Sequence, residues 1–393
     1  MQPELSVWKS VFIVGTQQNG YTQEQAQQIK RVMEKIRTME CLEHIRYRPS
    51  MYIGQIGNGD LPGDAIYTMC NEILMNSIDE HLAGFGQSII LDVQDNMVKV
   101  RDFGRGISFD KIFRAATDPN TGGRYDSVEY KKTVGLNGVG LKVTNALSTH
   151  FIITSFQSGE YLSLTFSKGE LISSDKGLTS EDDGLCVEFV PDNEILSEYT
   201  FRMDILRDIV YDYCCLHKGL KITLNGVEYV SQNGLLDKLD KILHHPYRYA
   251  PIHICDERFE IAFTHIDAPE EQIISYVNDH HTGNGGTHHE AFCKALAYVL
   301  SKYFNNKITQ EDCSKGLVAV IKVSIQWPSF ANSSKNTLAS PHMWYDADDN
   351  HGPTIYETFK HALLKTMTDN RERADLKGSG VNMLLRIWQL SWN

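Results

Sequence analysis

The spacing of apolar residues changes period several times along the chain, and each change predicts an element. Over 65–82, Ile66, Met69, Ile73 and Leu74 recur at helical spacing, and Gly84 and Gly86 end the helix. Residues 88–93 and 97–101 alternate apolar with polar, as two half-buried strands joined at 94–96 would. The stretch 117–140 is Gly-rich and polar, with too few apolar positions to pack as an ordinary element. Strand patterns return over 151–156, 161–166 and 185–190, with turns at 158–159 and 183–184. Residues 202–217 read as a helix. The runs 221–224 and 228–230 flank Asn225 and Gly226, a hairpin signal.

A composition break falls near 244–251. Beyond it the pattern predicts strands over 259–264 and 273–277, a helix over 290–304, a strand over 317–325 and a helix around 355–367. The order implies an α+β chain in three parts: a polar arm over 1–38, a domain over 39–245 and a second domain over 246–393. The arm is rich in Gln, Glu and Lys. It reads as a solvated helix, or as an arm exchanged with a partner.

Composition narrows the class. The 393 residues are 41% hydrophobic and 10% aromatic, ordinary values for a globular chain long enough for two domains. No run of about 18 apolar residues exists, so no membrane span is expected. The beginning of the chain lacks the basic-then-apolar layout of a secretory signal, and a cytoplasmic location is expected. None of the 8 cysteines forms a C-x-x-C pair, so reduced core thiols are expected and zinc is not. The histidine doublets at 244–245, 280–281 and 288–289 are expected at the surface or in hydrogen bonds, because adjacent side chains point apart. A formal net charge of −12 argues against a tight, autonomous hold on DNA phosphates, without excluding a local basic patch.

Three segments carry candidate chemistry. Glu72 and Asn76 are four apart on the first helix and share a face. A carboxylate there can take a proton from water, and an amide oxygen can ligand a hard cation such as Mg²⁺. By itself the pair reads more readily as a solvated helix face. Asp102-Phe-Gly104-Arg105-Gly106-Ile107 ends the second strand. Its carboxylate can accept from an exocyclic amine such as that of adenine, and its glycines let the backbone pass close to a flat ligand. An acidic turn with two glycines is the plainer alternative. Last comes Gly135-Leu136-Asn137-Gly138-Val139-Gly140 ahead of a helical stretch over 141–147. Its free backbone N–H groups suit an anion, though the stretch is not the Walker pattern.

In this order the three segments resemble the gyrase, chaperone and histidine-kinase ATPase superfamily. Further segments resemble its type II topoisomerase branch, the B subunits of DNA gyrase and topoisomerase IV. These are Arg48-Pro-Ser-Met-Tyr-Ile-Gly54, Asn71-Glu72-Ile-Leu-Met-Asn76, Gly285-Gly-Thr-His288 and Lys335 in Asn332-Ser-Ser-Lys335-Asn. The match runs from about residue 40 to 340 and covers two domains. It implies a two-layer α/β sandwich ATPase domain followed by a smaller βαβ transducer domain.

The resemblance also implies roles. Glu72 would be the general base and Asn76 the Mg²⁺ ligand. Asp102 would read adenine, with Arg105, Gly106 and Ile107 around it. Residues 135–140 would wrap the triphosphate with Tyr130 nearby, and Lys335 would reach the γ-phosphate from the second domain. ATP would dimerise two copies of the chain around a double-stranded DNA segment, and hydrolysis would reopen the gate. A topoisomerase A subunit would be the partner if the natural protein continues, and a nucleoid-associated cytoplasmic location is implied. Tyr21 is a candidate contact to nucleotide in the partner.

There are departures. Thr68 stands where the family usually has His, Leu185 where it has Thr, Ser333 where it has Gln and Arg124 where Lys is common. The tail from Pro341 resembles the family poorly. No Glu-Gly-Asp-Ser-Ala cleavage segment occurs, so DNA cutting by this chain is not expected. A stand-alone nucleotide-gated clamp with weak turnover is the alternative. A histidine kinase or mismatch-repair relative is disfavoured by Gly285-Gly-Thr-His288 and Lys335.

Overall fold

The structure is a computed structural model and describes residues 39–119, 138–304, 308–332, 335–345 and 351–372. The 1–38 arm, Arg124, Tyr130, Gly135, Leu136, Asn137, Ser333 and the tail beyond 372 lie outside the described residues.

The first part opens with short helices α1 (Cys41–Tyr47) and α2 (Ser50–Ile53), then the long α3 (Ala65–Leu82). The predicted hairpin follows as β1 (Ser88–Gln94) and β2 (Met97–Asp102). Its turn places Asp95 at φ 46° and Asn96 at φ 67°, the left-handed pair that a two-residue hairpin loop needs. Next come α4 (Ile112–Thr117), α5 (Gly140–Ala146) and strands β3 (Ser148–Gln157), β4 (Glu160–Ser167), β5 (Glu170–Leu178) and β6 (Gly184–Pro191). After α6 (Asn193–Leu196) and α7 (Met203–Leu216) come β7 (Lys221–Leu224), β8 (Val227–Val230) and α8 (Leu235–Ile242).

These strands make one sheet in the order β5-β4-β3-β6-β2-β1-β7-β8. All its pairs are antiparallel except β1 with β7. Alternate residues are buried: Ile89, Leu91 and Val93 on β1, Val98 and Val100 on β2, Phe151 and Ile153 on β3, and Val187 and Phe189 on β6. A sheet with one buried face has this period of two. Ile66, Met69, Ile73, Leu74 and Ile78 of α3 join them in one core. The result is a helical layer on a sheet, as expected.

The second part holds β9 (Ile252–Cys255), β10 (Phe259–His265), β11 (Gln272–Val277), β12 (His280–His281), α9 (Thr287–Phe304), α10 (Gln310–Ser314), β13 (Leu317–Val323) and α11 (Ile355–Glu372). Its sheet runs β12-β11-β13-β10-β9. Strands β11 and β13 pair in parallel, with α9 and α10 between them in sequence, which makes the expected βαβ unit. Strand β13 is buried on both faces. Ala319, Ile321 and Val323 pack with α9 and α11 in the second core, whereas Val318 and Val320 belong to the first. The two cores therefore meet across this sheet.

Several elements escaped the periodicity. Strand β5 is exposed almost throughout and buries no face, so nothing imposes alternation on it. Helix α4 is short and buries two residues, Ile112 and Ala116, too few to show a period, whereas α8 does bury Leu235, Leu239 and Ile242 at helical spacing, a period the sequence-based expectations omit. Helix α9 starts three residues earlier than expected, at Thr287, and β13 ends at Val323. Past β13 the Ile325 amide donates to Asn278 Oδ1 at 2.8 Å instead of to a strand.

Candidate functional site

Helix α3 sets Glu72, Asn76 and Glu80 at successive turns of one half-buried edge, while Ile73, Leu74, Ser77 and Ile78 face inward. Asp102 ends β2 beside that edge and is buried, 4% exposed. Its Oδ2 accepts from Ser77 Oγ at 3.0 Å. Its Oδ1 accepts the amides of Gly104 at 3.0 Å and Leu185 at 3.2 Å. Burial pushes the Asp102 carboxyl up, and the Gly104 amide, the Ser77 hydroxyl and the Leu185 amide oppose that shift. A carboxylate offers about four acceptor positions, so three donors leave one, on Oδ2.

The two glycines after Asp102 serve packing within the protein. A Cβ on Gly104 would come within 2.9 Å of Glu80 Cβ. Gly106, at φ 67°, would place one 2.6 Å from Ser155 Oγ. That hydroxyl accepts the Ile107 amide at 2.8 Å, and Gln157 Nε2 donates to the Arg105 carbonyl at 2.9 Å. The loop is thus held against β3. Arg105 forks onto Glu80 (Nε–Oε2 3.1 Å, NH2–Oε1 3.2 Å) and lies 4.0 Å over the Phe85 ring. Ile107 packs half-buried against the first core, together with Leu185 and Val139. At the departure from the family pattern, Leu185 reaches Asp102 through its main chain, a contact that needs no threonine hydroxyl.

Of the Gly-rich segment, Gly138, Val139 and Gly140 are described. Gly138 has φ 58°, and its carbonyl accepts from the buried Lys142 Nζ at 2.7 Å. Gly140 opens α5 directly against Glu72, since a Cβ there would lie 2.0 Å from Glu72 Oε2. The helix therefore starts where the carboxylate of α3 ends, a placement the α5 dipole favours. Glu72 and Asn76 thus share one edge of α3, Asp102 meets the same helix at Ser77, and the end of the Gly-rich segment lies beside Glu72.

Lys335 is not brought into hydrogen-bond or ion-pair contact with Glu72, Asn76 or Asp102. Its charge bears on His280, whose imidazole is lowered to about 3 by burial and then by Lys335. Lys335 has φ 56°, and its amide donates to the Asn332 carbonyl at 3.2 Å. The segment that follows is seated on Gly285-Gly-Thr-His288. Asn284 N donates to Asn336 O (3.0 Å), Leu338 N to Gly285 O (3.1 Å) and Thr287 N to Leu338 O (3.1 Å). Thr287 Oγ1 donates to the Ser340 carbonyl at 2.5 Å. Gly286, at φ 125°, lies so close that a Cβ would be 2.3 Å from the Leu338 carbonyl oxygen.

A charged joint links the two sheets. His217, at the end of α7, and Asp279 of the β11–β12 turn meet at 2.5 Å, both buried. Lys322 of β13 lies 3.1 Å from Asp279 Oδ1 and donates to the Leu216 carbonyl at 2.6 Å. Burial alone would raise the Asp279 carboxyl, but the charges of His217 and Lys322 outweigh it and hold it below the usual range. Tyr276 Oη donates to Asp212 of α7 at 2.8 Å. Sequence reasoning places Ser77 among the polar residues around Glu72 and Asn76 without giving it a role, and it missed Ser155 and this joint. Ser77 carried the one usable signal, a polar residue on the buried face of an amphipathic helix.

A long helix carrying Glu72 and Asn76 lies on a mixed sheet whose strand β2 ends in Asp102, an architecture of the gyrase type. The DNA gyrase B family model matches residues 227–375. The B subunit of DNA topoisomerase 4 from Borreliella burgdorferi is 38% identical over 307 residues, covering 78% of this chain and 51% of that protein. The B subunit of DNA gyrase from Streptococcus pyogenes serotype M1 is 33% identical over 341 residues, covering 78% and 52%. The 43K ATPase domain of Thermus thermophilus gyrase B superposes with TM-score 0.65 at 24% identity, over 89% of this chain and 98% of that one. The ATPase region of Saccharomyces cerevisiae topoisomerase II superposes with TM-score 0.64 at 20% identity, over 92% and 99%. The chain is a homologue of the B subunits of DNA gyrase and DNA topoisomerase 4, and its fold is that of their ATPase region. It spans about half the length of the curated relatives it matches. Among the described residues no helix is long and apolar enough to cross a membrane.

Proposed function

We propose that this chain is the ATP-binding and hydrolysing gate of a type II DNA topoisomerase. In this reading two copies close around a double-stranded DNA segment when ATP binds and reopen on hydrolysis, without cutting DNA themselves. The observation that carries it is Asp102, with one acceptor position left on Oδ2 beside the Glu72–Asn76 edge of α3. That position takes the exocyclic amine of adenine, and Ile107 supplies an apolar neighbour. Glu72, held where α5 begins, accepts the proton of an attacking water. The amide oxygen of Asn76, one turn on, is a hard donor that fits Mg²⁺, which when bound offsets phosphate charge. Residues 135–140 and Tyr130 cover the phosphates, and Arg105 braces the base pocket through Glu80.

Lys335 reaches the γ-phosphate from the second domain. The seat on Gly285–Thr287 and the Asp279 joint supply the path from its segment to α7. The domain boundaries proposed are 39–245 and 246–393, with 1–38 as an arm between protomers. A topoisomerase A subunit is the proposed partner of the longer protein, in a nucleoid-associated cytoplasmic setting. Thr68, half-buried one turn before Glu72, cannot relay charge as an imidazole would, and favours a second reading as a clamp with weak turnover.

The test is Glu72→Ala, with steady-state hydrolysis and analogue-driven dimerisation measured on the same preparation. Hydrolysis should fall about 10²–10⁴-fold while dimerisation persists. Dimerisation with negligible turnover already in the wild type selects the clamp. Wild-type hydrolysis in the variant refutes the assignment of Glu72.

A further inference from the structure

The histidine doublet at 288–289 splits as adjacent residues must. His288 turns inward, where its Nε2 meets Thr282 Oγ1 at 3.1 Å. His289 turns the other way and faces Cys293, one turn along α9, and Glu271, which immediately precedes β11. His289 Nε2 lies 3.3 Å from Glu271 Oε1, and Cys293 Sγ lies 3.5 Å from the same oxygen. All three ligand atoms fall within 4.8 Å of one another.

We propose that Glu271, His289 and Cys293 form a binding site for a thiophilic divalent cation of the zinc class. Two of the three separations, 3.3 Å and 3.5 Å, are those of ligands around one ion, and the third lies within 4.8 Å. Zinc bonds of about 2.0 Å to nitrogen or oxygen and about 2.3 Å to sulfur make a tetrahedron with edges of about 3.3–3.8 Å. The donor set is one imidazole, one thiolate and one carboxylate. Sulfur and nitrogen together select zinc, cobalt or cadmium over magnesium or calcium, which prefer oxygen alone.

Access also suits an ion. Cys293 is buried at 8% exposure, whereas the side chains of His289 and Glu271 are 32% and 30% exposed. One side of the cluster is therefore open, and a water or a group from another molecule can take the fourth position. Without an ion the same atoms are a histidine and a thiol both turned to one carboxylate, so little rearrangement is needed. Gly285 allows the histidine its place, since a Cβ there would lie 2.8 Å from Nδ1. The cluster shares no residue with the nucleotide edge on α3. It clamps β11 to the first turns of α9, next to the segment that seats Lys335.

The experiment uses the whole 393-residue chain, stripped of metal with a chelator and kept free of nucleotide. Titration with Co²⁺ is followed by absorption, and Zn²⁺ is then added in competition. One Co²⁺ per chain should produce a thiolate-to-cobalt charge-transfer band and tetrahedral d–d bands, and Zn²⁺ should abolish them. Zn²⁺ should also raise the melting temperature. Cys293→Ser should lose the charge-transfer band, and His289→Ala or Glu271→Gln should lose one-to-one binding. Circular dichroism checks that each variant is folded, and the two exposed positions serve if Cys293→Ser does not fold. A wild-type titration without the band, or a band that survives in both Cys293→Ser and His289→Ala, overturns the proposal. Binding at the proposed Mg²⁺ position cannot mimic it, because oxygen ligands give no thiolate band.

Discussion

Replacing Asp102 by asparagine separates the acceptor role of this side chain from its packing, since the two residues have nearly the same shape. The carboxylate holds Gly104 N and Leu185 N on one oxygen and Ser77 Oγ on the other. Asparagine keeps one acceptor oxygen and puts two N–H donors in place of the second. With that oxygen serving the two backbone amides, the new NH₂ faces Ser77 and the open position. The Ser77 hydroxyl can rotate and accept, but an exocyclic amine cannot. A hydrogen bond to a charged group contributes about 1.5–3 kcal/mol, so the affinity for a non-hydrolysable ATP analogue should fall about 10- to 150-fold. A 6-oxo purine nucleotide should lose less or gain, because its oxygen accepts from the new N–H.

Isothermal titration calorimetry of both analogues reads this directly, with a melting curve to show that the fold persists. The pH profile gives an independent reading. Burial raises the Asp102 carboxyl, so the ionised acceptor is present above that raised value and is lost as pH falls through it. Nucleotide affinity should therefore begin to drop above the ordinary aspartate value of about 3.9. The same shift makes the folded state hold its proton more tightly than the unfolded one, so acid does not weaken the fold through this group. Asp102→Asn should flatten the step. A folded Asp102→Asn protein that binds the ATP analogue as tightly as wild type refutes the assignment.

Two further outcomes follow from the second sheet. Gly286→Ala puts a methyl group 2.3 Å from the Leu338 carbonyl at φ 125°. It should cost about 1–3 kcal/mol in urea unfolding and slow hydrolysis while leaving analogue binding near wild type, since it displaces the Lys335 seat rather than α3. Lys322→Met leaves Asp279 buried with His217 as its remaining partner. Unfolding should show a loss of about 3–5 kcal/mol, and a shift below about 1 kcal/mol would mean the joint is not charged as described.

Whatever a short window of residues encodes is legible in the sequence. The period of α3, the alternation of β1 and β2 and the Asn225–Gly226 turn are local, so their elements stand where expected. Glu72 and Asn76 share an edge because four residues make about one helical turn. Strand β5 leaves no such trace, since it buries no face, whereas the helical spacing of Leu235, Leu239 and Ile242 in α8 is legible.

The site itself was decided at long range. Ser77 meets Asp102 across 25 residues, Leu185 reaches it across 83, and His217 meets Asp279 across 62. A glycine in a sequence marks only freedom. It is the packed structure that puts Gly140 against Glu72, Gly104 against Glu80 and Gly286 against Leu338. Likewise His289 and Cys293 are one helical turn apart in the sequence, and only the strand that brings Glu271 beside them makes three ligands of two. The sequence alone determined which side chains could do chemistry and on which element each would sit. Tertiary structure decided which of them meet, because burial and hydrogen-bond satisfaction are properties of packed neighbours that no local period records.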